Sequence, residues 1–166
     1  MSYTVAGLPP YPQLDEAAPG TGGLCGGAFV NLAFESWLTR KFSNAPRFTK
    51  EMKDDVMEKF EENLKKGFDG TDSRPHTIMI RDLRRDDTLQ SFGIRRGQLT
   101  ISTLELTNVF RQVTGEIVKL VRAQISATPR EVTTILLAGG FGQSKFLRGE
   151  LEGAFPDVKV NHVANA

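Results

Sequence analysis

Apolar positions recur along the chain at helical spacing in four stretches. From about Leu24 to Phe42, Phe29, Leu32, Ala33, Leu38 and Phe42 follow a helical period, with Trp37 near the same stripe. Asn44, Ala45 and Pro46 stop this run, because the residue before a proline avoids the α region. The spacing predicts a second helix over about Thr49 to Phe68. There Met52, Val56, Phe60, Leu64 and Phe68 stand four apart, and the opposite face is Lys and Glu. Gly67, Asp69 and Gly70 end it, and Thr71 to Pro75 reads as a turn. A third helix starts at Ser102 or Thr103. Ser102 and Glu105 have the Ser-x-x-Glu spacing of a capping box, in which hydroxyl and carboxylate each satisfy a backbone N–H. Its stripe is Val109, Phe110, Val113, Ile117, Leu120, Val121 and Ile125, and it ends near Ala127, before Pro129. Ser144 opens a fourth helix carrying Leu147, Leu151, Ala154 and Phe155.

Shorter runs read as strands. Residues 2–6 form one, and Tyr11 to Leu14 adds a little more. Gly7 to Gly27 is otherwise loop chemistry, punctuated by prolines 9, 10, 12 and 19 and by glycines 20, 22, 23, 26 and 27. Residues 77–80 and 98–101 form two more strands, joined by a polar connection from Asp82 to Arg96 that contains Phe92 and Gly93. Thr133 to Ala138 is a near-continuous apolar run, as expected for a strand covered on both faces. Val158 to Val160 is a last short strand. Strands alternating with helices argue for an α/β or α+β layer architecture.

Composition narrows the function classes. The 166 residues suit one ordinary domain or two small lobes; 39% are hydrophobic and 25% charged, as in a folded globular chain. The formal net charge of +1 gives no electrostatic case for nucleic acid or an anionic membrane. The doublets Arg84-Arg85 and Arg95-Arg96 flank turn-like sequence and read as solvated loops. One cysteine, Cys25, excludes an internal disulfide. No apolar run approaches the roughly 20 residues of a spanning helix, and Met1 to Pro12 lacks a signal-like pattern. A cytoplasmic or nuclear location is the default expectation.

Three segments carry candidate chemistry. In Leu137 to Ser144, a glycine turn (Gly139, Gly140, Phe141, Gly142, Gln143) joins a strand to a helix start. Backbone N–H groups without a Cβ in the way admit a nucleotide closely, and a helix N-terminus favours its negative groups. A tight turn required by packing alone explains the same pattern, and both readings stay open. The spacing is neither a Walker A loop nor a complete dinucleotide fingerprint. Gly20 to Gly27 repeats the backbone-approach argument through Gly22 and Gly23, with Cys25 as a small residue in a tight turn. Glu61 to Asp69, with Glu62, Lys65 and Lys66, reads by itself as a solvated face of Glu–Lys pairs.

Taken in order, these segments resemble the fungal heat-shock-seventy-like proteins of the actin-like ATPase domain superfamily, over about Ser2 to Asn165. The resemblance implies an α/β fold. It would be a partial actin-like ATPase (ribonuclease H-like) lobe, a C-terminal lobe fragment, with a small α+β outer subdomain. Residues 1–48 and 103–166 would form the inner part and 49–102 the outer, nucleotide-contacting part. The implied ligand is ATP or ADP, with Mg²⁺ in the complete parent. Gly139, Gly140, Phe141, Gly142 and Gln143 match the adenosine-contacting turn, and Gly22 and Gly23 supply further backbone contacts. Gln143 stands where the chaperones carry a base-stacking arginine, so stacking differs. Glu62, Lys65, Lys66 and Asp69 match a Glu-x-x-Lys-Arg-x-x-Ser helix end that holds ribose and base. Lys66 replaces an arginine and lacks its planar face, and Asp69 replaces a serine.

The family's Asp-x-Gly phosphate turns do not occur in this sequence. The second would fall just before Ser2, and without both turns nothing holds Mg²⁺ or positions the attacking water. The resemblance therefore implies a nucleotide-binding half-lobe of a chaperone-like ATPase, inactive alone, whose partners are an adenine nucleotide and protein partners or clients. The alternative is a non-enzymatic protein-interaction module derived from that lobe. A third reading, a small Rossmann-like enzyme, needs an acidic residue about 20 residues beyond the glycines; Asp157 lies 15 beyond Gly142. A lobe lacking a strand would expose a sheet edge, so association is expected.

Overall fold

The computed structural model describes residues 1–6, 11, 13–45, 47–81, 83 and 87–163. Its architecture is mixed α/β with three small sheets. Strands β1 (Ser2–Ala6) and β2 (Gln13–Ala18) form an antiparallel hairpin with Val5 opposite Leu14. Helix α1 (Gly27–Lys41) follows. Helix α2 (Lys50–Lys59) begins at Thr49, whose side chain accepts from the Met52 N–H, and runs through a π turn (Phe60–Leu64) into α3 (Lys65–Gly67). Next come β3 (His76–Met79), a 3-10 turn (Asp87–Phe92), β4 (Ile94–Arg95) and β5 (Gln98–Ile101), paired antiparallel in the order β3-β5-β4. Helix α4 (Thr103–Ala127) starts with the expected capping box on Ser102 and Glu105. Strand β6 (Thr134–Leu137), the single turn α5 (Gly139–Gly142), helix α6 (Lys145–Ala154) and β7 (Lys159–His162) close the chain, with β6 and β7 parallel.

The π turn resolves a problem in the apolar row of the second helix. Residues four apart in an α-helix drift by about 40° per step, so the twelve residues from Val56 to Phe68 would place Phe68 about 120° off Val56's face. A π turn absorbs one extra residue, which takes about 100° back. The Lys65 N–H bonds the Phe60 carbonyl, five residues back. Val56, Phe60 and Phe68 are accordingly all buried in one core.

That core is aromatic at its centre. Phe34 stacks on Phe60 at 3.7 Å, and Phe68 meets Phe110 at 4.8 Å and Phe146 at 5.2 Å. Its members include Val30, Phe34, Val56, Phe60, Leu99, Leu106, Phe110 and Phe146, so one cluster has residues on both sides of 49 and 102. A second cluster, Leu137, Leu147, Leu151, Phe155 and Val160, packs on Val118, Val121 and Ile125 at the far end of α4. Gln124 is buried there. Its carbonyl accepts from the Thr21 N–H and hydroxyl at 3.2 and 3.1 Å, and its amide donates to Ser2 Oγ at 3.0 Å, tying the hairpin to α4.

The structure departs from the sequence reading at several elements. Strand β2 occupies Gln13–Ala18, sharing Gln13 and Leu14 with the short strand expected at Tyr11 to Leu14 and running on into a stretch read as loop, because pairing with β1 satisfies its backbone. The connection from Asp82 to Arg96 contains β4 and the 3-10 turn, whose Leu89 and Ile94 are buried; Asp82, Arg84 and Arg85 lie outside the described residues. Leu32 is 55% exposed, since α1 buries Val30, Ala33, Phe34 and Leu38 instead. Strand β6 is covered on one face only: Leu136 is 65% exposed while Leu137 is buried under α6. Among the described residues, no helix is long and apolar enough to cross a membrane.

Candidate functional site

The glycine turn after β6 is built from three different requirements. Gly139 has φ +77°, a left-handed conformation that disfavours any Cβ. Gly142 is buried, and a Cβ there would stand a tight 3.0 Å from the Leu137 carbonyl carbon, so packing favours glycine. Gly140 is exposed, and a Cβ on it would meet nothing within 4 Å. Packing therefore explains Gly142 and backbone conformation explains Gly139, while Gly140 leaves the backbone open to approach. Ser144 caps α6 by accepting from the Leu147 N–H at 3.3 Å.

Phe141 lies half-buried between the two cores and meets the loop that opens α1. Gly27 lies against the Phe141 side chain, and a Cβ there would stand 3.4–3.6 Å from it, an ordinary van der Waals contact. Gly22 is exposed and open, whereas a Cβ on Gly23 would stand 2.8 Å from Leu120 Cδ1. Cys25 is half-buried, with its Sγ 3.5 Å from the Gly23 carbonyl.

A groove of about 460 Å³ opens where these segments converge. Its walls are Gly27 and Ala28 at the start of α1, Lys65 and Lys66 of α3, and Gly140, Phe141, Gln143 and Ser144. Five residues singled out from sequence thus share one concavity: Lys65, Lys66, Gly140, Phe141 and Gln143. Glu62, Asp69, Gly22, Gly23, Gly139 and Gly142 do not line it. Glu62 is exposed on the π turn. Asp69 turns back on its own chain, accepting from the Thr71 N–H at 2.9 Å and hydroxyl at 2.8 Å. Those bonds, with Lys145 nearby, hold its carboxyl below the ordinary range.

The two lysines differ in their partners. Lys65 Nζ donates to Asn31 Oδ1 at 2.8 Å, to Glu61 Oε1 at 3.2 Å and to the Gly27 carbonyl at 3.4 Å. Hydrogen bonds from Asn31 and then Lys65 hold the Glu61 carboxyl below the ordinary range. Lys66 is exposed at the groove wall. Sequence reasoning missed Asn31, because nothing in its helical context marks a partner 34 residues away. It gave Gly27 only as the end of the Gly20 to Gly27 stretch, and the fold places it on the groove wall.

A second groove, of about 520 Å³, lies between the π turn and β3 and includes Lys59, Asn63, Asp72, His76 and Thr77 in its lining. It is the roomier of the two, but its cation is already engaged: Lys59 donates to Asp55 Oδ2 at 2.7 Å and to the Met79 carbonyl at 2.6 Å. The smaller groove, with an exposed glycine backbone and an exposed lysine, is the better equipped for an anionic ligand. Among the described residues, no three His, Cys, Asp or Glu side chains are placed together to hold a metal ion.

Compared with known proteins, the chain matches no protein-family model, no curated protein and no solved structure.

Proposed function

We propose that this groove binds the adenosine part of ATP or ADP, and that the chain is the nucleotide-contacting half-lobe of an actin-like, heat-shock-seventy-like ATPase. One observation carries the reading. Three segments far apart in sequence, around residues 27, 65 and 140, meet in one concavity of about 460 Å³, within the usual range for small-ligand sites. Those around 65 and 140 carry the resemblance, and the one at 27 is the helix start that follows its Gly20 to Gly26 loop. The chemistry suits such a ligand: an open glycine backbone at Gly140 for close approach, the half-buried Phe141 ring as an apolar wall, and the Lys66 ammonium for negative charge. The lining supplies no carboxylate, so no hydrolytic step is assigned to it.

Calorimetric titration with ATP tests this, with Gly140→Asp as the paired variant. The new side chain enters open space, so the fold should be kept, and its carboxylate should repel the nucleotide and weaken binding at least tenfold. Equal affinity for the two proteins would remove the glycine turn from the site. The exposed Tyr3, Val5, Leu14 and Leu136 favour a second reading, a protein-interaction module. It gains if the parent chain binds no ATP.

A further inference from the structure

The ammonium of a lysine has three N–H donors and no acceptor. At Lys65 three acceptors surround it: Asn31 Oδ1, Glu61 Oε1 and, more distantly, the Gly27 carbonyl. Asn31 Oδ1 and Glu61 Oε1 thus share one ammonium, from two different elements. Asn31 and Gly27 belong to α1, while Glu61 belongs to the π turn, so the cluster ties the start of α1 to the helix that carries both lysines. Lys66 is the next residue, exposed on the same groove wall.

We propose that Lys65 is a positioning residue that braces the start of α1 against the π turn and fixes the width of the groove, whereas Lys66 is the cation the groove presents to a ligand's anionic or hydroxyl oxygens. The assignment to a ligand rests on the nucleotide reading above; the bracing role does not. It separates two adjacent lysines that the sequence treats alike. A ligand contact through Lys65 has to break a bond already made, while one through Lys66 breaks none of these. Pulling α1 from the π turn would cost charge-assisted bonds, so the brace resists a change in the groove's width.

The test uses the whole chain with Lys65→Met, Lys66→Met and Asn31→Ala, read two ways. Amide hydrogen exchange without any ligand reports the brace. Lys65→Met and Asn31→Ala should each accelerate exchange at residues 29–34 severalfold, and Lys66→Met should leave it unchanged. If Lys65→Met does not fold, Asn31→Ala, which keeps both lysines, still decides the point. Unchanged exchange in the folded variants, or equal acceleration by Lys66→Met, overturns the proposal. ATP titration then reports the ligand role. Lys66→Met should weaken binding about tenfold, as for a lost hydrogen bond to a charged group, and should reduce its salt dependence. Lys65→Met combined with Asn31→Ala should lose no more than Lys65→Met alone, because both break one brace. Losses that multiply in that double variant, or a Lys66→Met variant that binds like the parent, overturn the assignment. If the parent binds no ATP, the nucleotide reading and the ligand role of Lys66 both fall, and hydrogen exchange still decides whether Lys65 is a brace.

Discussion

The π turn provides a test that separates helix geometry from side-chain chemistry. Deleting Glu62 shortens the path from Val56 to Phe68 to eleven residues, which in a regular α-helix leaves Phe68 about 20° from Val56's face. The deletion should convert the π turn to ordinary α-helix and keep Phe68 in the core. Inserting an alanine after Glu62 does the reverse and turns Phe68 about 100° further round. The cost follows from what Phe68 touches. It is 2% exposed and contacts the rings of His76, Phe110 and Phe146. Expelling such a side chain approaches a Phe→Ala core truncation, about 3–5 kcal/mol. In a chain of this length that lowers the melting temperature by about 6–20 °C, at about 2–4 °C per kcal/mol. The deletion takes out the one surplus backbone unit together with an exposed side chain, so its stability should stay within about 1 kcal/mol of the parent. Urea unfolding at constant temperature, with Phe68→Ala as the reference, reads all three variants. A Glu62 deletion as damaging as Phe68→Ala would refute the reasoning, and so would a harmless insertion.

Two further outcomes follow from the same geometry. Burial pushes the Glu105 carboxyl upward, but the bond from Lys41 at 2.8 Å and those from the Ser102 N–H and hydroxyl outweigh it and hold the group below its ordinary range. A depressed carboxyl stabilises the fold fully above its unfolded value of about 4.3, and that contribution is lost as pH falls through the folded value. Glu105→Gln should therefore flatten the fall in melting temperature below about pH 4.3, and parallel curves for the two proteins would count against the assignment. Leu136, 65% exposed on a two-stranded sheet, should drive self-association. Leu136→Lys should lower the mass measured by light scattering at high concentration, and a monomeric parent would remove the premise.

Local chemistry made much of the fold legible. Ser102 and Glu105 marked the start of α4 because a capping box is complete within four residues. Ser144 marked α6 as a simple N-cap, without a reciprocal carboxylate. The row Val56, Phe60, Phe68 announced a buried helix face, though not the π turn that keeps the row straight. Strand β2 was legible only at Gln13 and Leu14, because the rest of it has little strand character of its own and is ordered by pairing with β1. Leu89 and Ile94 were hidden because the polar residues around them break any period, and only the surrounding core buries them.

The candidate site divides along the same line. From residue type and near neighbours the sequence pointed to the glycines around position 140; Lys65 and Lys66 by themselves read as a solvated face, and only the resemblance singled them out. Tertiary structure alone decided that Gly27, Lys65, Lys66, Gly140, Phe141 and Gln143 face one groove, and that Gly139 and Gly142 serve the backbone and packing instead. It also decided that Lys65 is enclosed by Asn31, Glu61 and Gly27 while Lys66 stays exposed. The physical reason is range. Propensity, capping and periodicity act within a few residues, whereas a groove and a filled hydrogen-bond shell depend on side chains brought together from tens of residues apart.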